Sequence, residues 1–163
     1  MKNFLGLIGL LLLVVLGITR FACSVGFKQG CSGYLKLAAD ASTVQLAEEN
    51  LSKALEYIER KGLTHGYTSI FWETPDEDMG FWYRNLSESL SDLRGLSPDA
   101  SFLEKSNMLI KLRETLLDDG DKGQSVTAPR GVEVYPSNML FVIWGVLGLV
   151  LFLIGFGRYL PTS

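Results

Sequence analysis

The only histidine, His65, lies four residues before Ser69 in the segment Leu63-Thr64-His65-Gly66-Tyr67-Thr68-Ser69. A histidine base beside a serine hydroxyl is the minimum for nucleophilic acyl chemistry, so a hydrolase using His65 and Ser69 is one reading. Against it, no G-x-S-x-G turn surrounds Ser69, and nothing in the segment specifies an oxyanion hole. A polar turn held by local hydroxyl hydrogen bonds accounts for the same residues.

The acidic residues Glu73, Asp76, Glu77 and Asp78 form a second candidate, for Ca²⁺. They lack the glycine and the ligand spacing of an EF-hand loop. Carboxylates at a helix N-terminus also favour the positive end of its dipole, which is the simpler account. Asp118, Asp119 and Asp121 read as solvated chain. Two cysteines and one distant histidine supply no tetrahedral zinc set. No metal site, cofactor site or catalytic constellation is therefore expected. Cys23 and Cys31, eight residues apart, would suit a disulfide in an oxidising compartment.

Six of the eighteen aromatic residues fall between positions 67 and 83. Trp82 belongs to an apolar helical stripe and is expected in a core. Tyr67, Phe71, Trp72, Phe81 and Tyr83 are expected to close the end of the bundle around it. The alternative is a docking patch or ligand cleft, because such side chains combine apolar surface with a polar handle. Phe81 and Tyr83 cannot share the core face fully, so some aromatic area is expected to remain for a partner.

These residues sit between two uncharged apolar runs, 3–19 (NFLGLIGLLLLVVLGIT) and 139–157 (MLFVIWGVLGLVLFLIGFG). Nineteen helical residues cover about 29 Å, close to the thickness of a bilayer's hydrocarbon core. Tyr135, Trp144, Arg158 and Tyr159 are placed as interfacial anchors. The N-terminal run resembles a signal sequence, but Thr19-Arg20-Phe21-Ala22-Cys23 offers no small-residue cleavage site, so a retained signal anchor is expected. Lys2 and Arg158 flank the spans and favour both termini inside, with the domain outside. The small size and signal-like start suggest a bacterial inner membrane.

All eighteen acidic residues lie between positions 24 and 137, against twelve Lys and Arg. An acidic middle argues against nucleic-acid binding, which needs clustered cations on phosphates. No ionisable residue lies inside either apolar run, so a proton relay has no support.

The expected fold is all-α: two transmembrane helices flanking a three-helix antiparallel bundle. The divisions are a signal anchor over 1–23, a flexible glycine-rich neck over 24–33, and the bundle over 34–117. A linker over 118–138 and a C-terminal transmembrane helix over 139–160 complete the chain. The first bundle helix is expected over 34–61, with Leu37, Val44, Leu51 and Ile58 at heptad spacing. Lys61-Gly62-Leu63 should end it through a left-handed glycine. Thr74-Pro75-Asp76-Glu77 and Ser97-Pro98-Asp99 should open the next two helices. Their stripes are Met79, Trp82, Leu86, Leu90 and Leu93, then Phe102, Leu109, Leu112 and Leu116.

A core this small gives little net stability alone, so further packing is expected from another protein, a second copy or the membrane surface. The expected function is a non-enzymatic, membrane-anchored helical subunit or scaffold that binds another protein. A small-ligand sensor signalling through a separate partner is the alternative, beside the hydrolase.

Overall fold

The computed structural model describes residues 2–120 and 123–157 and is mostly helical. Arg158, Tyr159 and Asp121 lie outside the described residues. Two helices are long and apolar enough to cross a membrane. The chain divides into two units, one formed by residues 1–25 and 133–163, the other by 26–132.

In the first unit, helix α1 (Lys2–Phe27) supplies residues 2–25 and runs antiparallel to α6 (Asn138–Phe156). Glycines set their separation. A Cβ on Gly9 would stand 2.7 Å from the Gly148 carbonyl oxygen and closer still to the Phe152 amide. One on Gly6 would meet the Phe156 ring at 2.6 Å. Further along, Leu13 packs on Gly148 and Leu16 on Gly145, so the register runs in opposite directions on the two helices. With no hydrophobic drive between helices in lipid, such backbone-to-backbone approach is the main route to packing. Arg20 and Glu133 pair at 3.6 Å, beyond the contacts that join the two apolar runs.

The second unit begins where a neck was expected. Residues 24–33 are helical: α1 extends to Phe27, a π-turn covers Lys28–Ser32, and α2 follows over Gly33–Ala39. The Gly33 amide donates to the Lys28 carbonyl, the wide turn's closing bond. Phe27, Cys31, Leu35 and Ala38 lie on the buried face of this arm. Its glycines serve close packing rather than freedom, since a Cβ on Gly30 would run into the Tyr57 ring.

The single helix expected over 34–61 is instead two, because the chain reverses at residues 40–43. Thr43 caps α3 (Val44–Arg60) by accepting from the Leu46 amide. Ala47, Leu51, Ala54, Leu55 and Ile58 are buried as the periodicity predicts, but Leu37, on the arm, is exposed. Tyr57 meets Phe27 edge-on at 6.2 Å, and Lys53 lies over the Tyr34 ring. Thus α3 returns alongside the arm that precedes it.

The stop at Lys61-Gly62-Leu63 is as expected. Gly62 takes φ +68, the Leu63 amide donates to the Ile58 carbonyl, and the Gly62 amide to Glu59. Helix α4 (Met79–Gly95) buries Met79, Trp82, Leu86, Leu90 and Leu93. Tyr83 near its start bonds Glu59 near the end of α3, while Arg94 near its end pairs with Glu48 near the start of α3. These two helices are therefore antiparallel.

Helix α5 (Phe102–Leu116) buries Leu112 and Leu116, whereas Phe102, expected on the same stripe, is exposed. It opens at Ser101 in a full capping box with Glu104, not at Ser97-Pro98-Asp99. The chain is mostly helical, as expected, and the linker expected over 118–138 holds a short hairpin at its start. Strands β1 (Leu117–Gly120) and β2 (Gly123–Val126) form an antiparallel hairpin, followed by a short 3-10 turn at Val132–Val134. Arg113 ties the hairpin down by pairing with Asp40 at 2.7 Å and donating to Gln124.

Cys23 and Cys31 are free thiols. Eight helical residues separate their Cα atoms by about 12 Å, too far for a disulfide without unwinding the helix.

The glycine crossing is directly testable. In a Cys23→Ala/Cys31→Ala background, cysteines at positions 16 and 145 should cross-link readily in membranes. Adding Gly9→Leu should abolish that cross-link, because the Phe152 backbone occupies the space. Undiminished cross-linking would show that the helices do not meet there.

Candidate functional site

The connection between α3 and α4 is a looped-out segment with a closed base. Tyr67 pairs with Asp78 in an isolated antiparallel bridge, the Thr68 amide donates to Glu77, and the Met79 amide donates to Gly66. Gly66 reaches φ +90, a conformation that glycine tolerates without strain. The Thr74 hydroxyl donates to Glu77 at 2.9 Å inside a 3-10 turn over Pro75–Glu77. Asp78 is the true cap of α4, accepting from the Gly80 and Phe81 amides at 2.8 and 3.1 Å. The expected start at Thr74 is thus displaced by four residues. A carboxylate aimed at free amides outcompetes the earlier hydroxyl, which is taken by Glu77.

The closed base leaves residues 69–76 at the tip, with Phe71 and Trp72 on it. Their rings lie 5.9 Å apart, and the side chains are 72% and 79% exposed. Tyr67 and Phe81 are also exposed. Trp82 turns inward, where its indole Nε1 donates to the Thr127 carbonyl at 2.9 Å. That bond joins the first turn of α4 to the segment after the hairpin, a contact that no spacing in the sequence marks.

Tyr83 stands apart from the other four. It is half-buried in a groove of about 420 Å³ between α3 and α4, lined by Glu56, Glu59, Ser87 and Arg94 among others. Its hydroxyl donates to Glu59 at 2.8 Å, and this bond raises its pKa above the ordinary tyrosine value. A second cleft of about 320 Å³ brings Phe81 and Trp82 together with Asp76, Asp78, Thr127 and Arg130.

His65 and Ser69 are not joined. The Ser69 hydroxyl is buried with no hydrogen-bond partner among the described residues, while His65 Nδ1 lies 3.1 Å from the Thr64 hydroxyl. Among the described residues no group of three or more His, Cys, Asp or Glu is arranged to hold a metal ion. Of the acidic cluster at 73–78, Asp78 and Glu77 are already engaged by the cap and by Thr74.

Apolar exposure also occurs outside this segment. Phe102 and Leu103, in the first turn of α5, are 86% and 68% exposed, and Ile110 on the same helix is exposed as well. The capping box fixes that turn: the Ser101 amide donates to Glu104 at 2.7 Å and the Glu104 amide donates to Ser101 at 3.2 Å.

No protein-family model, no curated protein and no solved structure matches the chain.

The Tyr83–Glu59 bond carries a titration signature. Ionising Tyr83 breaks the bond and sets a phenolate beside a carboxylate, so the raised value depends on Glu59. Glu59→Gln should shift the absorbance titration of Tyr83, isolated by difference against Tyr83→Phe, to lower pH. An unchanged midpoint would mean that the pair is not formed.

Proposed function

We propose that this chain is a non-enzymatic, membrane-anchored helical subunit whose extramembrane unit binds another protein. In this reading α1 is a retained signal anchor, and α1 with α6 forms a glycine-packed hairpin across the bilayer. Their antiparallel register supports placing both termini on one side. The simplest location is a bacterial inner membrane with residues 26–132 outside the cytoplasm. There α3, α4 and α5 act as an antiparallel three-helix bundle, with α2 as an added arm.

The observation that carries the binding role is the opening turn of α5. Phe102 and Leu103 stand almost entirely in solvent on a turn held by a capping box, while Leu112 and Leu116 on the same helix are packed. Exposed apolar side chains on a fixed turn form a surface that gains by being covered. The partner is a protein with an apolar groove, either another subunit or a second copy.

A photo-reactive phenylalanine analogue at position 102, activated in the native membrane, should give a discrete adduct with one protein. Leu103→Glu should remove the adduct without lowering the melting temperature, because exposed substitutions change stability by no more than about 0.5 kcal/mol. No adduct at position 102 would contradict the assignment.

A further inference from the structure

The cleft that Phe81 and Trp82 share with residues 127–130 takes no part in the exposed turn of α5. It is built from three stretches far apart in sequence: the start of α4 with the 3-10 turn before it, strand β1 at Asp118, and the segment after the hairpin. All of it lies within residues 26–132. Hydrogen bonds hold its walls together. The Trp82 indole donates to the Thr127 carbonyl at 2.9 Å, and the Thr127 amide donates to the Leu116 carbonyl at the end of α5. On the facing wall, the Gly80 and Phe81 amides fix the Asp78 carboxylate. The cleft is therefore a formed feature of this unit, with a volume at the small end of the range for organic ligand sites, about 300–1,000 Å³.

Its charge is lopsided. Asp76, Asp78 and Asp118 bring three carboxylates, against the single guanidinium of Arg130. Asp76 and Asp118 are exposed, and Asp78 is half-buried. Beside them stand the exposed Phe81 ring and the Asn85 amide. Carboxylates gathered in a recess repel one another, and a cation among them relieves that repulsion. A bare metal ion is a poor match, because these groups are not arranged as a metal-ligand set. A guanidinium matches the lining better. It is planar, spreads five N–H donors in a fork that suits carboxylates, and stacks on an aromatic face. The apolar stem that carries it would lie against Pro75, Ala128 and Pro129.

From this lining we infer that the cleft binds an organic cation carrying a guanidinium group. Asp76 and Asp118 pair with it directly, Asp78 adds a fixed negative charge, and Phe81 supplies the stacking surface. The same group is presented by a free small molecule and by an arginine side chain of a protein. Neither source depends on the apolar turn of α5, so this site stands or falls apart from the binding role given to Phe102 and Leu103.

Trp82, in the wall of the cleft, is a built-in reporter. In the full chain labelled with fluorotryptophan and held in an uncharged detergent, its fluorine resonance is the one that survives both Trp72→Phe and Trp144→Phe. Methylguanidinium, added at constant ionic strength, should move that resonance along a saturating curve, whereas its uncharged isostere methylurea should not. Asp118→Asn and Asp76→Asn should each weaken the response severalfold. Both positions are exposed, so the melting temperature should stay unchanged. A short uncharged peptide with one central arginine that saturates the shift more tightly than methylguanidinium assigns the cation to a protein side chain; equal or weaker binding assigns it to a small molecule. No saturable shift, an equal response to methylurea, or undiminished binding in both aspartate variants would overturn the inference.

Discussion

The arrangement of the second unit depends on the approach of the Tyr57 ring to Gly30. No residue with a Cβ fits at position 30 while the ring stays in place, so the glycine permits the contact and the aromatic ring fills it. Gly33 plays a related part, since a Cβ there would stand 2.7 Å from the Lys28 carbonyl oxygen in the π-turn. With these contacts made, residues 26–39 become a rigid helical arm. The reversal at residues 40–43 then brings α3 back along it. Every later element inherits that direction: α4 leaves again beside α3, and the loop between them is returned to the end where the chain arrived.

Much of the helical core was legible from periodicity and punctuation. The α4 stripe is buried throughout, and the glycine stop after α3 has the two hydrogen bonds that its sequence implies. The arm was misread because glycine content outweighed a real signal. Phe27, Cys31, Leu35 and Ala38 recur at helical spacing, but three glycines between positions 26 and 33 look like flexibility when the neighbouring ring is unknown. Both displaced helix starts have a common cause. Thr74-Pro75 and Ser97-Pro98 open tight turns, and acceptors four residues further on, Asp78 and Ser101, capture the free helix amides instead. The hairpin at 117–126 had no alternating pattern to reveal it, since β2 is mostly exposed and the fold holds it through Arg113 and the Leu116–Thr127 backbone bond.

The candidate site was legible as a set of residues but not as a place. Tyr67, Phe71, Trp72 and Phe81 are exposed rather than closing the end of the bundle, and a helix running uninterrupted from 34 to 61 would carry them to the far end of the unit. The extra arm reverses that outcome. Tyr83 was grouped with them by sequence proximity, and its position on α4 directs it into the groove beside Glu59. The exposed turn at Phe102 was missed because amphipathic spacing marks which residues share a face, and α5 packs only through its later turns. The loop between α3 and α4 thus exposes aromatic surface, and the first turn of α5 exposes further apolar surface.

The most direct test of this account is the distance between spin labels introduced at positions 28 and 61 of the full chain. Lys61 lies over the ring that packs against Phe27, so the account requires a short distance with a narrow distribution. A helix continuing from 34 to 61 beyond a flexible neck would hold the labels about 40 Å or more apart with a broad distribution. That result would contradict the returning arm, and with it the placement of the aromatic loop.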